Sequence, residues 1–163
     1  MQLQDIKEHG LYIVSDQYFR DFPSSTWVQN KSESRPHYYA IPDCRGLLWM
    51  LPLSSRVENH RGRITAYEAR HGHGSCDTAM IASIHGKDRV LLIGSMFPVT
   101  PNYIVRAYCI GSRSYIVRNK AITKAVHSKA TRFLALLNNN IIPDKNGVLS
   151  IANQLLTRSL VGV

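Results

Sequence analysis

Residues 37–51 read His37-Tyr-Tyr-Ala-Ile41, Pro42-Asp-Cys-Arg, Gly46-Leu-Leu-Trp-Met-Leu51. Two short runs rich in aromatic and branched residues flank a segment carrying proline, aspartate and glycine, so His37–Ile41 and Gly46–Leu51 are expected as strands. Pro42–Gly46 is the turn, and the pair is an antiparallel hairpin. The polar segment Gln29–Pro36 enters the first strand at Arg35, and the second strand leaves through Pro52-Leu53-Ser54-Ser55. Antiparallel pairing therefore brings Lys31, Arg35, Ser54 and Ser55 to one end of the hairpin.

Working outward, Gly10-Leu-Tyr-Ile-Val14 is a short strand, and Ser15-Asp16 can cap a helical turn through Phe19 and Phe22. Ser55-Arg-Val-Glu58 has the form of a capping box and predicts a helix from Arg56. Thr78–Ile84 and Arg89–Ile93 are strands joined by His85-Gly-Lys-Asp88, and Met96–Val99 and Tyr103–Ile110 extend the sheet. From Asn119 the period becomes helical: Ile122, Val126, Phe133 and Leu137 fall on one stripe, and Lys120 and Lys124 on the opposite face. Lys129 falls beside the stripe, and a last helix is expected from about Gly147 to Leu160. Strands first and longer helices later predict an antiparallel α+β fold.

The chain has 163 residues, 44% of them hydrophobic, which is enough for the core of a single domain over 1–163. No apolar run is long enough to span a bilayer, and Met1-Gln-Leu-Gln-Asp-Ile-Lys-Glu8 lacks the apolar block of a signal peptide. A cytoplasmic location is the expectation. Cys44, Cys76 and Cys109 are odd in number and far apart, with no C-x-x-C pair, so free and partly buried thiols are expected rather than a disulfide framework.

The formal net charge of +9 points to a polyanionic partner. Residues 1–88 hold ten Lys/Arg and ten Asp/Glu, whereas residues 89–163 hold ten Lys/Arg and a single acid, Asp144. The excess therefore belongs to the second half, where Arg106, Arg113, Arg118, Lys120 and Lys124 are candidate RNA contacts. Tyr108 and Tyr115, beside arginines, are candidates for stacking on single-stranded RNA. Trp49 is expected in the core.

Two cations, two hydroxyls and a helix start favour a phosphate group. RNA cleavage needs little more, because the nucleophile can be the substrate's own 2′-OH. Arg35 suits the phosphoryl charge in a bidentate way, and Lys31 as a point charge that can also donate a proton. Ser55, and less directly Ser54, can hold a phosphate oxygen or the 2′-OH. Local spacing equally admits Ser55 as a helix cap and the two cations as loop charges.

The order of these parts resembles the type III toxins of the ToxN/AbiQ superfamily, most closely the TenpN-like branch: a Lys/Arg-bearing loop, a hairpin, Pro52-Leu-Ser-Ser55 at its exit, and Gly94-Ser-Met-Phe-Pro-Val99 before a long helix. The resemblance runs from about residue 10 to 137. It implies a half-open antiparallel barrel similar to MazF and Kid toxins, with flanking helices. It also implies a metal-independent endoribonuclease that needs no cofactor and leaves a 2′,3′-cyclic phosphate. Its inhibitor would be an antitoxin RNA of pseudoknot repeats, held in a ring of alternating protein and RNA. By position, Ser55 matches the family's essential serine, Ser54 the neighbouring threonine and Arg35 the loop lysine, while Lys31 falls where the type member has a tyrosine. Val57 stands where the family has a lysine, a charge that Arg56 or Arg61 can replace.

Other chemistries have weaker support. His71, His73 and Cys76 lie within a few residues but lack the spacing of a zinc site. No second histidine can be placed beside His60, and Asp43, Glu58 and Asp77 share no spacing for carboxylate catalysis. The main alternative is a non-catalytic RNA-binding module that uses the basic second half alone.

Overall fold

The computed structural model describes residues 1–160. Its centre is the hairpin of β2 (Pro36–Pro42) and β3 (Leu48–Ser54), paired through His37–Pro52, Tyr38–Leu51 and Tyr39–Met50, with a bulge between Tyr39 and Ile41. The turn closes on Asp43, whose carbonyl accepts from the Gly46 N–H and whose carboxylate receives Arg45 and the Trp49 indole. Gly46 takes φ +93°, a conformation that a side chain disfavours. All seven residues of β3 are buried, Trp49 among them as expected.

Beside the hairpin lie β1 (Leu11–Val14) and β7 (Ile104–Ala107), and on the other side β5 (Lys87–Leu91) and β4 (Met80–Ile84). The order is β4-β5-β3-β2-β1-β7. A short strand β6 (Phe97–Val99) shares the outer edge of β3 with β5: β6 pairs with Leu48–Met50, and β5 with Leu53 and Ser54. Every described ladder in this sheet is antiparallel. His85 and Gly86 both have positive φ, the requirement of the two-residue turn that joins β4 to β5. No ladder joins β4 to β7, so the described strands form no closed barrel. The strand expected over Tyr103–Ile110 is divided into β7 and β8 (Cys109–Ile110), and β8 makes a separate hairpin with β9 (Arg113–Ser114).

Two long helices follow. In α3 (Lys120–Asn138) the Asn119 side chain accepts from the N–H groups of Ala121 and Ile122, and Val126, Ala130, Phe133 and Leu137 face the core. In α4 (Val148–Leu160) the Asp144 carboxylate accepts from the N–H groups of Val148 and Leu149, and Ile151, Ala152 and Leu155 are buried. Each thus has a capped start and one apolar stripe. The short α1 (Asp16–Asp21) is capped by Ser15 and brings Tyr18, Phe19 and Phe22 against Trp27, Phe97 and Tyr103. Among the described residues no helix is long and apolar enough to cross a membrane.

The expected capping box is not made. The helix after β3, α2, spans Val57–His71 rather than starting at Arg56, and Arg56 at its start supplies no side-chain cap. Ser54 takes part of that role: its Oγ accepts from the Arg56 N–H at 3.2 Å, and it is buried where Ser55 is exposed. Of the three free cysteines only Cys76 is buried, and Cys44 and Cys109 are exposed.

Candidate active site

The loop before β2 is built on Asn30. Its buried side-chain amide donates to the Val14 carbonyl and the Asp16 carboxylate, and its own carbonyl accepts from the N–H groups of Ser34 and Arg35. Glu33 accepts from the Asp16 N–H at 2.9 Å, so the loop is fastened to the start of α1 at two points. Between them Lys31, Ser32 and Glu33 all have positive φ. A left-handed residue other than glycine costs about 1 kcal/mol or more, so these contacts hold a strained turn that presents Lys31 to solvent.

Arg35 is 8% exposed. Its Nε donates to the Gln29 carbonyl at 2.5 Å and its Nη1 to the Leu53 carbonyl at 2.6 Å. The guanidinium is thus a clamp between the loop and β3 as well as a charge, a role that sequence reasoning did not assign to it. The Leu53 bond sets the guanidinium two residues from Ser55. Its Nη2 makes no hydrogen bond among the described residues. Burial, and then the nearby Arg56, lower the Arg35 pKa. The Arg56 charge thus acts on Arg35, and the described residues place no carboxylate on either guanidinium, an arrangement that an anion relieves.

Ser55 sits at this point, exposed, its Oγ without a hydrogen bond among the described residues. Its carbonyl accepts from the Val57 N–H at 2.9 Å. The hydroxyl that the capping box would have occupied is therefore available. Arg61 is committed elsewhere, to Glu58 at 3.2 Å and Asp88 at 3.5 Å, which ties α2 to the start of β5. Of the two arginines considered for the missing charge at Val57, Arg56 is the one the structure leaves beside the site.

Beside Pro36 and Leu53 a concavity of about 130 Å³ is lined by Lys87, Arg89 and Tyr108. Lys87 and Arg89 were not legible as site residues, because nothing in the chain marks which end of the β4–β5 hairpin meets β3. Tyr108 and Tyr115 are half-buried against the core rather than free platforms, and the Tyr115 hydroxyl accepts from the His85 N–H at 3.0 Å. Arg106 is exposed and lies two strands from Pro36, since Ile13 pairs with both. That is roughly 10 Å.

The remaining candidates lie apart. The Val117 N–H donates to the His9 carbonyl and the His9 N–H to that of Tyr39, so α3 begins level with Tyr39. Four residues along β2 from Arg35 is roughly 13 Å. Exposed Arg118, Lys120 and Lys124 therefore form a second basic area, and Arg113 stands on the β8–β9 hairpin. Lys129 turns away from both, donating to the carbonyls of Gly74 and Cys76 at 2.6 Å. Among the described residues no three His, Cys, Asp or Glu side chains gather as a metal-holding group. His71 is drawn to the Tyr67 carbonyl and His73 to Glu68.

The fold is similar to that of AbiQ. That lactococcal anti-phage endoribonuclease belongs to the type III toxin-antitoxin system; it aligns over 77% of this chain and 80% of its own, with a TM-score of 0.56 and 14% identity. A second solved structure, from a bacterial antiviral system regulated by a processed non-coding RNA, aligns over 91% of this chain and 98% of its own, with a TM-score of 0.58 and 10% identity. At these identities the likeness to AbiQ concerns the fold. No protein-family model and no curated protein matches the sequence.

Proposed function

We propose that residues 1–163 form one endoribonuclease domain, the toxin of a type III toxin-antitoxin system in the ToxN/AbiQ superfamily and its TenpN-like branch. The observation that carries this reading is the junction of β3 and α2, where the Ser55 hydroxyl, unengaged among the described residues, sits beside Arg35 and Arg56 with no described acid paired to either. In the proposed reaction the substrate 2′-OH passes its proton to water as its oxygen attacks the adjacent phosphorus, the bond to the 5′-oxygen breaks, and a 2′,3′-cyclic phosphate remains. Arg35 and Arg56 stabilise the phosphoryl oxygens, Ser55 holds one of them or the 2′-OH, and Ser54 fixes the backbone that presents Ser55. Lys31, on its strained turn, adds charge and a proton for the leaving oxygen. No metal enters this scheme.

The second basic area, with Arg113, Arg118, Lys120 and Lys124, serves a structured antitoxin RNA of repeated pseudoknots. Protein and RNA then alternate in a closed ring on a MazF-like and Kid-like half-open barrel, in the cytoplasm. The resemblance in sequence and the likeness of fold to AbiQ support this assignment independently. The test is incubation of the purified protein with a messenger RNA in EDTA. Discrete fragments are expected; intact RNA that is nevertheless bound would make the protein a non-catalytic RNA-binding module.

A further inference from the structure

None of the residues of α2 is buried. Its face toward the sheet is half-covered at Val57, Ile64 and Glu68. On the flank of that face His60, Arg63, Tyr67 and Arg70 recur at steps of three, four and three residues, and Arg56 immediately precedes the helix. At 100° per residue this holds the four helical residues in an arc of about 80°. His71 joins the stripe, its ring stacked on Tyr67 at 4.2 Å and 23°. Glu58, Glu68 and Arg61 point elsewhere, and among the described residues no carboxylate pairs with Arg56, Arg63 or Arg70. Arg63 lies 3.1 Å from His60 Nδ1, and burial followed by that charge lowers the His60 pKa.

The stripe borders two clefts. One, of about 440 Å³, has Arg63, Tyr67 and Arg70 on the helix side and Cys76, Thr78 and Ala79 opposite. The other, of about 480 Å³, is reached past His60 and runs on to Ser95 and Phe133. They share Arg63, Thr78 and Ala79, so they join at Arg63: the first follows the helix, and the second turns from it toward Asp144 and Lys145. The far wall of the channel along the helix is held by α3, through the Lys129 bonds to Gly74 and Cys76 and an ion pair of Arg132 with Asp77 at 2.6 Å. The channel leads away from Ser55, with Tyr67 about 18 Å along the axis at 1.5 Å per residue.

A face meant for protein packing would be apolar, and one meant only for solvent would mix its charges. Unpaired guanidinium groups, a stacked ring pair and a partly apolar opposite wall match a single nucleic-acid strand, which offers phosphates and π-faces together. We propose that this channel is a track for single-stranded RNA running from the reacting phosphate, with Arg63 and Arg70 on phosphates and the Tyr67–His71 pair supporting a base. The position of the reacting phosphate rests on the ribonuclease reading; the track itself does not.

The test uses the full-length triple variant Arg63→Ala, Tyr67→Ala, Arg70→Ala, with Arg20→Ala as a control for simple loss of charge. The probes are a fluorescein-labelled, mixed-sequence 2′-O-methyl RNA 15-mer and its 3-mer, which cannot undergo 2′-OH attack. With its melting temperature unchanged, the triple variant should bind the 15-mer at least tenfold more weakly, and the gain of 15-mer over 3-mer should shrink. Its slope of log K against log salt should flatten by about 1.4, at about 0.7 for each of two lost phosphate contacts. Wild-type affinity and slope in a folded triple variant overturn the track. So does an equal loss in Arg20→Ala, or displacement of the 15-mer by polyglutamate as effectively as by unlabelled RNA. If the wild type cleaves no RNA but this dependence holds, the ribonuclease reading fails and the track stands; cleavage without the dependence is the reverse.

Discussion

Replacing Arg35 with methionine separates its two roles. Methionine keeps much of the apolar stem but removes the guanidinium that joins the Gln29 and Leu53 carbonyls at 2.5 and 2.6 Å. A hydrogen bond to a charged group is worth about 1.5–3 kcal/mol, so the two together give roughly 3–6 kcal/mol. Relief of burying a charge offsets part of this, leaving about 2–4 kcal/mol. For a domain of this size about 1 kcal/mol moves the melting temperature by about 2–4 °C, so a fall of roughly 5–15 °C is expected in a circular-dichroism melt. Well below that transition, cleavage should also fall by about 10² to 10³, as for loss of one transition-state donor. Arg35→Lys should keep a charge at the site and lose the fork, melting below wild type yet cutting faster than Arg35→Met. An Arg35→Met protein that melts within about 2 °C of wild type would refute the clamp. Wild-type cleavage by that protein would refute its part in the chemistry.

Ser55→Ala should cost under about 0.5 kcal/mol, because the hydroxyl is exposed and caps nothing, and yet lower the cleavage rate by about 10² to 10³; a rate at the wild-type level removes Ser55 from the site. His37 is 1% exposed and its Nδ1 has no partner among the described residues, and burial, then the Arg35 charge, lower its pKa to about 3. The unfolded chain binds this proton first, so its contribution to stability is full above about pH 6.5 and is lost toward pH 3, at up to about 1.4 kcal/mol per pH unit. Urea midpoints at pH 7 and pH 5 should show this loss, and a His37 ring that titrates near pH 6 by NMR would contradict it. Reversing the charges of Lys120 and Lys124 should weaken binding of the inhibitory RNA and flatten its salt slope in a filter-binding titration; unchanged affinity and slope would make that helix face a solvated surface.

The hairpin was legible because its aromatic runs and turn residues give a local signal, and the same is true of the helix after Asn119 with its stripe of Ile122, Val126, Phe133 and Leu137. The convergence of Arg35, Ser54 and Ser55 followed from antiparallel register alone. Less was legible where tertiary contacts decide. Ser55 and Glu58 have the spacing of a capping box, yet it is Ser54 Oγ that accepts from the Arg56 N–H, and the Ser55 hydroxyl has no partner among the described residues. Arg35 reads as a loop charge until Gln29 and Leu53 are seen to approach it. The cations of the first half cancel against acids in number but not in space, since α2 gathers Arg63 and Arg70 on one flank and follows directly on Arg56. Their spacing is visible in the sequence; the open channel beside them depends on how α2 meets β4 and α3.

The central claim is most directly tested on one RNA oligonucleotide cut by the protein and on the same oligonucleotide with 2′-deoxyribose at the cleaved position, both in EDTA, with product ends identified by mass spectrometry. The account predicts that the all-RNA strand is cut to a 2′,3′-cyclic phosphate and a free 5′-hydroxyl while the substituted strand stays whole. Equal cleavage of the two strands, or products bearing a 3′-hydroxyl and a 5′-phosphate, would show that water is the nucleophile and contradict the account.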